Sequence, residues 1–391
     1  RLDADLADLL RLGSHQLLAM GSVPAYAAIA QTVELAKRRH GVGASKLANA
    51  VLRRIDRERA DASVATPEGA ARALGPEFDA VDRLAVRTSH PRWLLERWRA
   101  RWGAADVDAL CAYDNGEAPV IVRPFGISGD ALREALAARD VHATPAPLVA
   151  DALVLPPGVQ LTALGPFQRG QCWVQDPGSA LVVEYAALPA GTRVADLCAA
   201  PGGKTLALLA HECDVLAADR SEARLGRLRA NLARVGRDDV PVQVLDATAP
   251  GLADLDAVLV DVPCTGTGTL RRHPDARWRL RASDLAMLPL TQRDILAGAA
   301  SCVRPGGLVV YSTCALEPEE NDDVVAAFLA RHPDFVLEAP PPGAVPDTVR
   351  GTLAPTPGLP HAAGAGGPVL RVLPQRHGVD GAFAARLRRT A

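Results

Sequence analysis

Apolar residues recur at helical spacing near the start of the chain, at Leu6, Leu9 and Leu10 and again at Leu47, Val51, Leu52 and Ile55. Positions three and four apart share one face of a helix, so residues 1–85 are expected to be helical. Residues 61–80 read as a loop-rich connector. Further on the period changes. Residues 118–170 alternate short strand-like runs, PVIVRPF and DALVLP, with one helical stretch, SGDALREALAARD. That mixture predicts a small α+β unit over 86–170. From 171 onward the pattern is strand, helix, strand, helix. The runs RVADLC, DVLAAD, VPVQVLD, DAVLVDV and GLVVYSTC are apolar almost throughout, as parallel strands covered on both faces are. Between two of them, SEARLGRLRANLARVG has a helical period, with Ser221 placed as N-cap and Gly236 as stop. Residues 171–391 are therefore expected to form a doubly wound α/β domain. The Pro, Gly and Ala-rich stretch 339–368 reads as an irregular excursion before two last strand-like runs, VLRVLP and FAARL.

Composition narrows the class without naming it. Of 391 residues, 48% are apolar and 23% charged, which excludes a fibrous or wholly disordered chain. The formal charge of −2 excludes a uniformly basic nucleic-acid coat, so an anionic partner must meet local patches. One candidate lies between Lys37 and Arg59, where eight basic residues face only Asp56 and Glu58. A lone charge run is ordinarily a solvated helix face; this excess favours a phosphate-contacting surface. In HPRWLLERWRARW, Trp93, Trp98 and Trp102 are expected to pack inward among four arginines. Seven cysteines without a CxxC pair point to reduced thiols. No apolar run approaches the ~18 residues of a membrane span. A cytoplasmic protein is the expectation. The chain does not begin with Met, so its first residues are expected to be missing.

The chemistry concentrates in three segments. DLCAAPGGKT, residues 196–205, follows a strand and opens a helix. Glycines there let backbone amides approach a ligand, and a helix N-terminus favours negative charge. A P-loop would need Gly at 198, which is Cys198, and a dinucleotide fingerprint would need GxGxxG. A loop that binds S-adenosylmethionine remains. Asp219, Asp246 and Asp261 are placed at the ends of the second, third and fourth strands, facing the crevice where open α/β sheets bind ligands. Each alone could be a cap or turn residue; together with Gly202 and Gly203 they favour a cofactor site. DVPCTGTG (261–268) and YSTCALEPEEN (311–321) each put a cysteine just after a strand. Cys264 and Cys314 should thus fall at the same sheet edge as the acids, where a thiolate is a candidate nucleophile. Cys111, Cys172, Cys213 and Cys302 fit the buried structural class. Zinc spacing is absent, and His211-Glu212-Cys213 reads as a helix end. The segment LRRHPDARWRLR (270–281) carries five arginines and a tryptophan directly after the Cys264 loop. It suits a nucleic-acid substrate, or a loop salt-bridged to neighbouring acids.

CAAPGGKT, DVPCTGTGTLRRHPD, STCALEPEEN and the terminal RHGVDGAFAARL resemble the Sun-type (RsmB-like) RNA cytosine-5 methyltransferases of the Nop–Sun family. The resemblance covers 171–391 strongly. Upstream, SKLANAVLR and HPRWLLERW are similar to the NusB-like helical domain and junction of the bacterial 16S ribosomal RNA enzymes. It implies a Rossmann-like class I methyltransferase domain behind a small α+β unit and an all-helical NusB-like RNA-binding domain. By this resemblance Cys314 is the nucleophile that attacks cytosine C6, and Cys264 assists release of the product. Cys198, Ala199, Ala200, Pro201, Gly202, Gly203 and Lys204, with Asp219, Asp246 and Asp261, are implied to bind S-adenosylmethionine. Whether Asp261 meets the base or the cofactor stays open. The implied partner is 16S rRNA, naked or partly assembled, with no metal and no membrane. Transfer RNA as substrate, and a non-catalytic assembly factor, are the competing readings; two retained cysteines and the NusB-like front end weigh against them.

Overall fold

The computed structural model describes residues 2–59, 66–353 and 367–390. The chain folds into two compact units, residues 1–101 and 102–391.

In the first unit, helix Ala4–Ala19 starts where the Asp3 side chain accepts from the Asp5 and Leu6 amides. A long helix, Ala25–Glu58, is kinked at Gly41. Leu6 and Leu9 pack on Ala36 and Ala48, and Leu17 packs on Ala28, Ile29 and Leu52. The expected connector holds a short helix, Pro67–Arg72, capped by Thr66, because Thr-Pro-Glu is itself a helix-start signal. Residues 60–65 lie outside the described residues. In the basic run, Arg38 pairs with Glu34, Arg39 with Asp5, Arg54 with Glu58 and Arg59 with Asp56. These are exposed pairs worth little each. They leave the patch less unbalanced than its sequence suggests.

In the second unit, strands β1 (Ile121–Pro124), β2 (Thr144–Pro145), β3 (Leu153–Val154) and β4 (Cys172–Val174) form an antiparallel sheet in the order β2-β3-β1-β4. Helix Gly129–Ala137, capped by Ser128, sets Leu132 and Leu136 against Val122, Leu153 and Cys172. Val174 pairs with Val122. The small sheet thus extends past the boundary at 170 read from the sequence, since periodicity does not show the partner of a three-residue strand.

The larger sheet has nine strands. Five are parallel: β5 (Arg193–Asp196), β6 (Asp214–Asp219), β7 (Val242–Val244), β8 (Leu255–Asp261) and β9 (Val303–Thr313). They lie in the order β7-β6-β5-β8-β9. Four further strands follow: β10 (Phe335–Glu338), β11 (Arg350–Gly351), β12 (Val369–Val372) and β13 (Ala382–Arg389). β13 runs antiparallel to β9, and its other edge is shared by β12 and β10. β11 falls inside the expected irregular excursion, whose residues 354–366 lie outside the described residues. Alternate residues along a strand point to opposite faces, and the core shows it. Val194, Ala257, Leu259, Leu308 and Val310 pack with helices Pro177–Ala186, Gly203–Ala210 and Glu222–Arg234. Ala195, Val258, Val260, Val309 and Tyr311 pack with helices Asp284–Cys302 and Asp322–Arg331. Both faces are covered, which is why these runs are apolar throughout. Ser221 accepts from the Arg224 amide, and Gly236 follows the helix with φ 72°, as the sequence suggests. Strand order reverses between β5 and β8. A crevice outside the carboxyl ends is expected at that switch point.

Candidate active site

The crevice is present as a cleft of about 340 Å³, lined by Asp196, Cys198, Ala199, Ala200, Pro201, Gly203, Lys204 and Asp261 among others. β5 delivers the chain to Asp196, and the loop turns back into helix Gly203–Ala210 through Gly202. Gly202 has φ 111°, and a Cβ there would stand 2.7 Å from Leu228 Cδ1. Only glycine fits that turn. Asp196 is buried, and Thr205 Oγ1 donates to its Oδ2 at 2.7 Å. Among the described residues its Oδ1 has no hydrogen-bond partner. Burial pushes the Asp196 pKa up to about 7 against the bond from Thr205. Its folded value lies above the unfolded one, so stability falls as pH rises from about 4 through 7. We expect Asp196→Asn to flatten that slope in chemical denaturation; an unchanged slope would place the titration elsewhere.

The predicted site residues divide. Lys204 Nζ donates to Asp261 Oδ2 at 2.7 Å and to Ser179 Oγ at 3.2 Å. Ser312 Oγ donates to Asp261 Oδ1 at 2.9 Å. Burial opposes the charge on Lys204, yet Asp261 outweighs it and the lysine pKa is raised. Cys198 lines the cleft as a thiol, its pKa pushed up by burial and then by Asp196, Asp261 and Asp219. Asp219 and Asp246 are not brought into the cleft lining. Asp219 ends β6 with 2% exposure. The Ser221 amide donates to its Oδ1 at 3.0 Å, and Arg224 Nη1 lies 3.0 Å from Oδ2 as an ion pair. Asp246 stands two residues beyond β7 rather than at its end. There it is exposed and accepts from the Thr248 amide and hydroxyl. It is a turn residue locally, the alternative each acid carried.

Cys264 follows β8 and Cys314 follows β9. Their sulfurs are 3.4 Å apart, well beyond the ~2.05 Å of a disulfide. Two loops hold them there. The Gly268 amide donates to the Cys314 carbonyl at 2.9 Å. The Leu316 amide donates to Thr267 Oγ1 at 2.8 Å. Buried Glu320 accepts from the Thr265 amide and hydroxyl and from Gln292. The pair is electrically unequal. Cys264 is held well above its ordinary pKa by the hydrogen bond it shares with Cys314, by burial, and by the charges of Glu320 and Asp261. Cys314 is lowered, by the same shared hydrogen bond and, against burial and Asp261, by Lys204 and Thr269. The arrangement offers two thiols in contact, with Cys314 the more easily ionised. Of the other five cysteines, Cys111, Cys172, Cys213 and Cys302 are buried and Cys198 is half-buried.

Neither Cys264 nor Cys314 is in the cleft lining, and sequence reasoning missed a part of it built by Asp176, Arg272 and Asp380. Arg272 donates to Asp380 Oδ2 at 2.5 Å and to Asp176 Oδ2 at 2.7 Å. Tyr113 also donates to Asp380. Asp176 caps helix Pro177–Ala186 through the Gly178 amide. An Asp-Pro-Gly helix start was legible; its partner across the cleft was not. Among the described residues, no group of three or more His, Cys, Asp and Glu is arranged to hold a metal ion.

Comparison with known proteins accounts for this combination. Residues 186–388 match the family described as 16S rRNA methyltransferase RsmB/F. The chain belongs to the RsmB/F family of 16S rRNA methyltransferases. Residues 1–57 of this methyltransferase match the NusB family, and 90–162 match the ferredoxin-like domain of RsmF/B-like methyltransferases. It is 36% identical to ribosomal RNA small subunit methyltransferase B of Pseudomonas syringae pv. tomato, over 84% of this chain and 72% of the relative. It is also 36% identical to the protein of that name from Pseudomonas putida, over 85% and 74%. The crystal structure of PH0851 superposes with a TM-score of 0.78 at 25% identity, covering 99% of this chain and 83% of that one. The Sun-type resemblance and the class I fold read from the sequence are borne out.

Proposed function

We propose that this methyltransferase modifies C5 of a cytosine in 16S rRNA, with Cys314 as covalent nucleophile and Cys264 as its release partner. The observation that carries it is the sulfur pair 3.4 Å apart, set just past the ends of β8 and β9 beside Asp261 and its partner Lys204. S-adenosylmethionine, when bound, supplies the methyl group. The residues fit it. Asp196 leaves one buried oxygen unpaired beside the cleft, suited to a cationic amino group. Gly203 and Lys204, at the start of the helix that Gly202 turns into, line the same cleft.

C5 of cytosine is a poor nucleophile. A Cys314 Sγ–C6 bond turns the ring into an enamine whose C5 takes the methyl group. The C5 proton then leaves to a base, and the C6–S electron pair returns to sulfur. Cys264, whose sulfur lies 3.4 Å away, gives its S–H hydrogen bond to the departing thiolate. Asp261, fixed between Lys204 and Ser312, presents a carboxylate at the cleft. The target base must leave its stack to enter, which unpaired RNA permits most easily.

The test is incubation with labelled S-adenosylmethionine and undermodified 16S rRNA, naked and partly assembled, with transfer RNA alongside. Base-resolution mapping should find one new 5-methylcytosine in 16S rRNA. Methylation of transfer RNA instead would change the substrate, and none in any RNA would favour an assembly factor. The resemblance gives Asp219 to the cofactor, although Ser221 and Arg224 hold it outside the cleft lining; on that assignment Asp219→Asn should weaken S-adenosylmethionine by ~1.5–3 kcal/mol in calorimetric titration, the scale of a lost charge-assisted hydrogen bond. Equal affinity would remove Asp219 from the site. Among the described residues no helix is long and apolar enough to cross a membrane. We assign the cytoplasm as its place of action.

A further inference from the structure

The basic segment 270–281 has a use that its salt bridges alone do not explain. Most of its arginines are spent inside the protein. Arg272 spans Asp176 and Asp380. Arg277 is buried, with Nη1 2.7 Å from Asn115 Oδ1. Arg271 lies over the Tyr113 ring, 4.7 Å from its centre. These anchors pin a single helical turn, Ala276–Arg279, from behind. What the turn presents outward is Trp278, which is 60% exposed. Among the five tryptophans it stands apart: Trp98 and Trp173 are buried at 1% and 2%, and Trp93 and Trp102 are half-buried. An indole held in water on a rigid support forgoes burial that the other tryptophans obtain. Beside it, Arg279 and Arg281 are exposed. Arg279 pairs with Asp275, and among the described residues the Arg281 guanidinium has no partner.

The turn is also in the right place. His273 lines the cleft, and Trp278 follows it by five residues. That spacing spans at most ~17 Å when extended, and less here, because the Ala276 amide bonds back to His273 and Leu280 to Ala276. A stacked strand rises ~3.4 Å per nucleotide, so a base within about four nucleotides of the target reaches Trp278. An aromatic face beside unpaired arginine charge is the chemistry that binds unpaired nucleotides.

We infer that Trp278 is a stacking platform for one unpaired base flanking the target cytosine, with Arg281 on its phosphate. This rests on the reading of RNA as substrate. It deepens that reading by assigning a binding site outside the cleft and requiring the flanking nucleotide to be single-stranded.

The test is an abasic scan. Single-stranded RNA oligonucleotides carrying the target cytosine are made with one base removed at each of four positions on either side. Binding to the full chain is measured for wild type, Trp278→Ala and Trp278→Phe. One abasic position should weaken wild type about tenfold and leave Trp278→Ala unaffected. Trp278→Phe should keep most of the sensitivity. Binding of the intact oligonucleotide should also quench tryptophan fluorescence in wild type and not in Trp278→Phe. If every abasic position costs both proteins equally, or Trp278→Ala binds intact RNA as tightly as wild type, the platform does not exist and the indole serves another partner. If wild type binds no RNA, the substrate reading itself fails and the platform with it.

Discussion

Cys314→Ala should abolish methyl transfer, and Cys264→Ala should leave the enzyme bonded to its product. Without the Cys314 sulfur no bond to C6 forms, so C5 never becomes nucleophilic. Cofactor binding should survive, because the Gly202 turn, Asp196 and the Lys204–Asp261 pair do not depend on that thiol. Without Cys264, the bond from Cys314 forms and the methyl group transfers, but the departing sulfur lacks its donor at 3.4 Å. Denaturing gel electrophoresis should then show a protein–RNA adduct with Cys264→Ala and none with Cys314→Ala or the double variant. An adduct that survives loss of Cys314 would reverse the roles. Activity retained in both single variants, with no adduct, would refute covalent catalysis.

Gly268→Ala should damage the site nearly as severely without removing any functional group. A Cβ there would stand 2.7 Å from the Cys314 carbonyl oxygen and 2.7 Å from Gly381 Cα. Both are backbone atoms, and neither can swing aside. The Gly268 amide and carbonyl also bond to Cys314 and Gly381, at 2.9 and 2.8 Å. A methyl group at this position must push the two cysteine loops apart or shift β13. Overpacking of this kind costs ~1–3 kcal/mol, and a displacement of about 1 Å at reacting atoms costs on the order of a hundredfold in rate. Thermal unfolding and methyl transfer should both fall, while S-adenosylmethionine affinity, set on the β5 side, should hold. Full activity in a folded Gly268→Ala protein would show that the loops are free to separate.

Several features of this protein were decided locally and are legible in its sequence. The parallel strands show as apolar runs, since helices cover both faces of the sheet. Ser221 and Gly236 bound their helix because capping needs only neighbouring backbone. The cleft loop, with Gly202 and Lys204, and the two cysteines could be found because each follows a strand end, and strand ends of a parallel sheet share one edge. The side-chain partners were decided elsewhere. Arg272 reaches Asp176 across 96 residues and Asp380 across 108. Three residues of β4 join the small sheet through β1. Asp246 has the spacing of a site residue, yet its carboxylate is turned to Thr248. Trp278, in a basic segment, and Trp98, expected to pack inward, are separated in the sequence only by their neighbours; the fold leaves the first 60% exposed and the second 1%. The inequality of the two thiols is likewise invisible in one dimension. Cys264 and Cys314 are the same residue type after similar strands, and only their contact with each other and the placement of Lys204, Thr269 and Glu320 around them shift the two pKa values in opposite directions. Periodicity and capping act within a few residues and survive in the sequence. Burial, ion pairing and pKa depend on distances that exist only once the sheet has brought remote segments together.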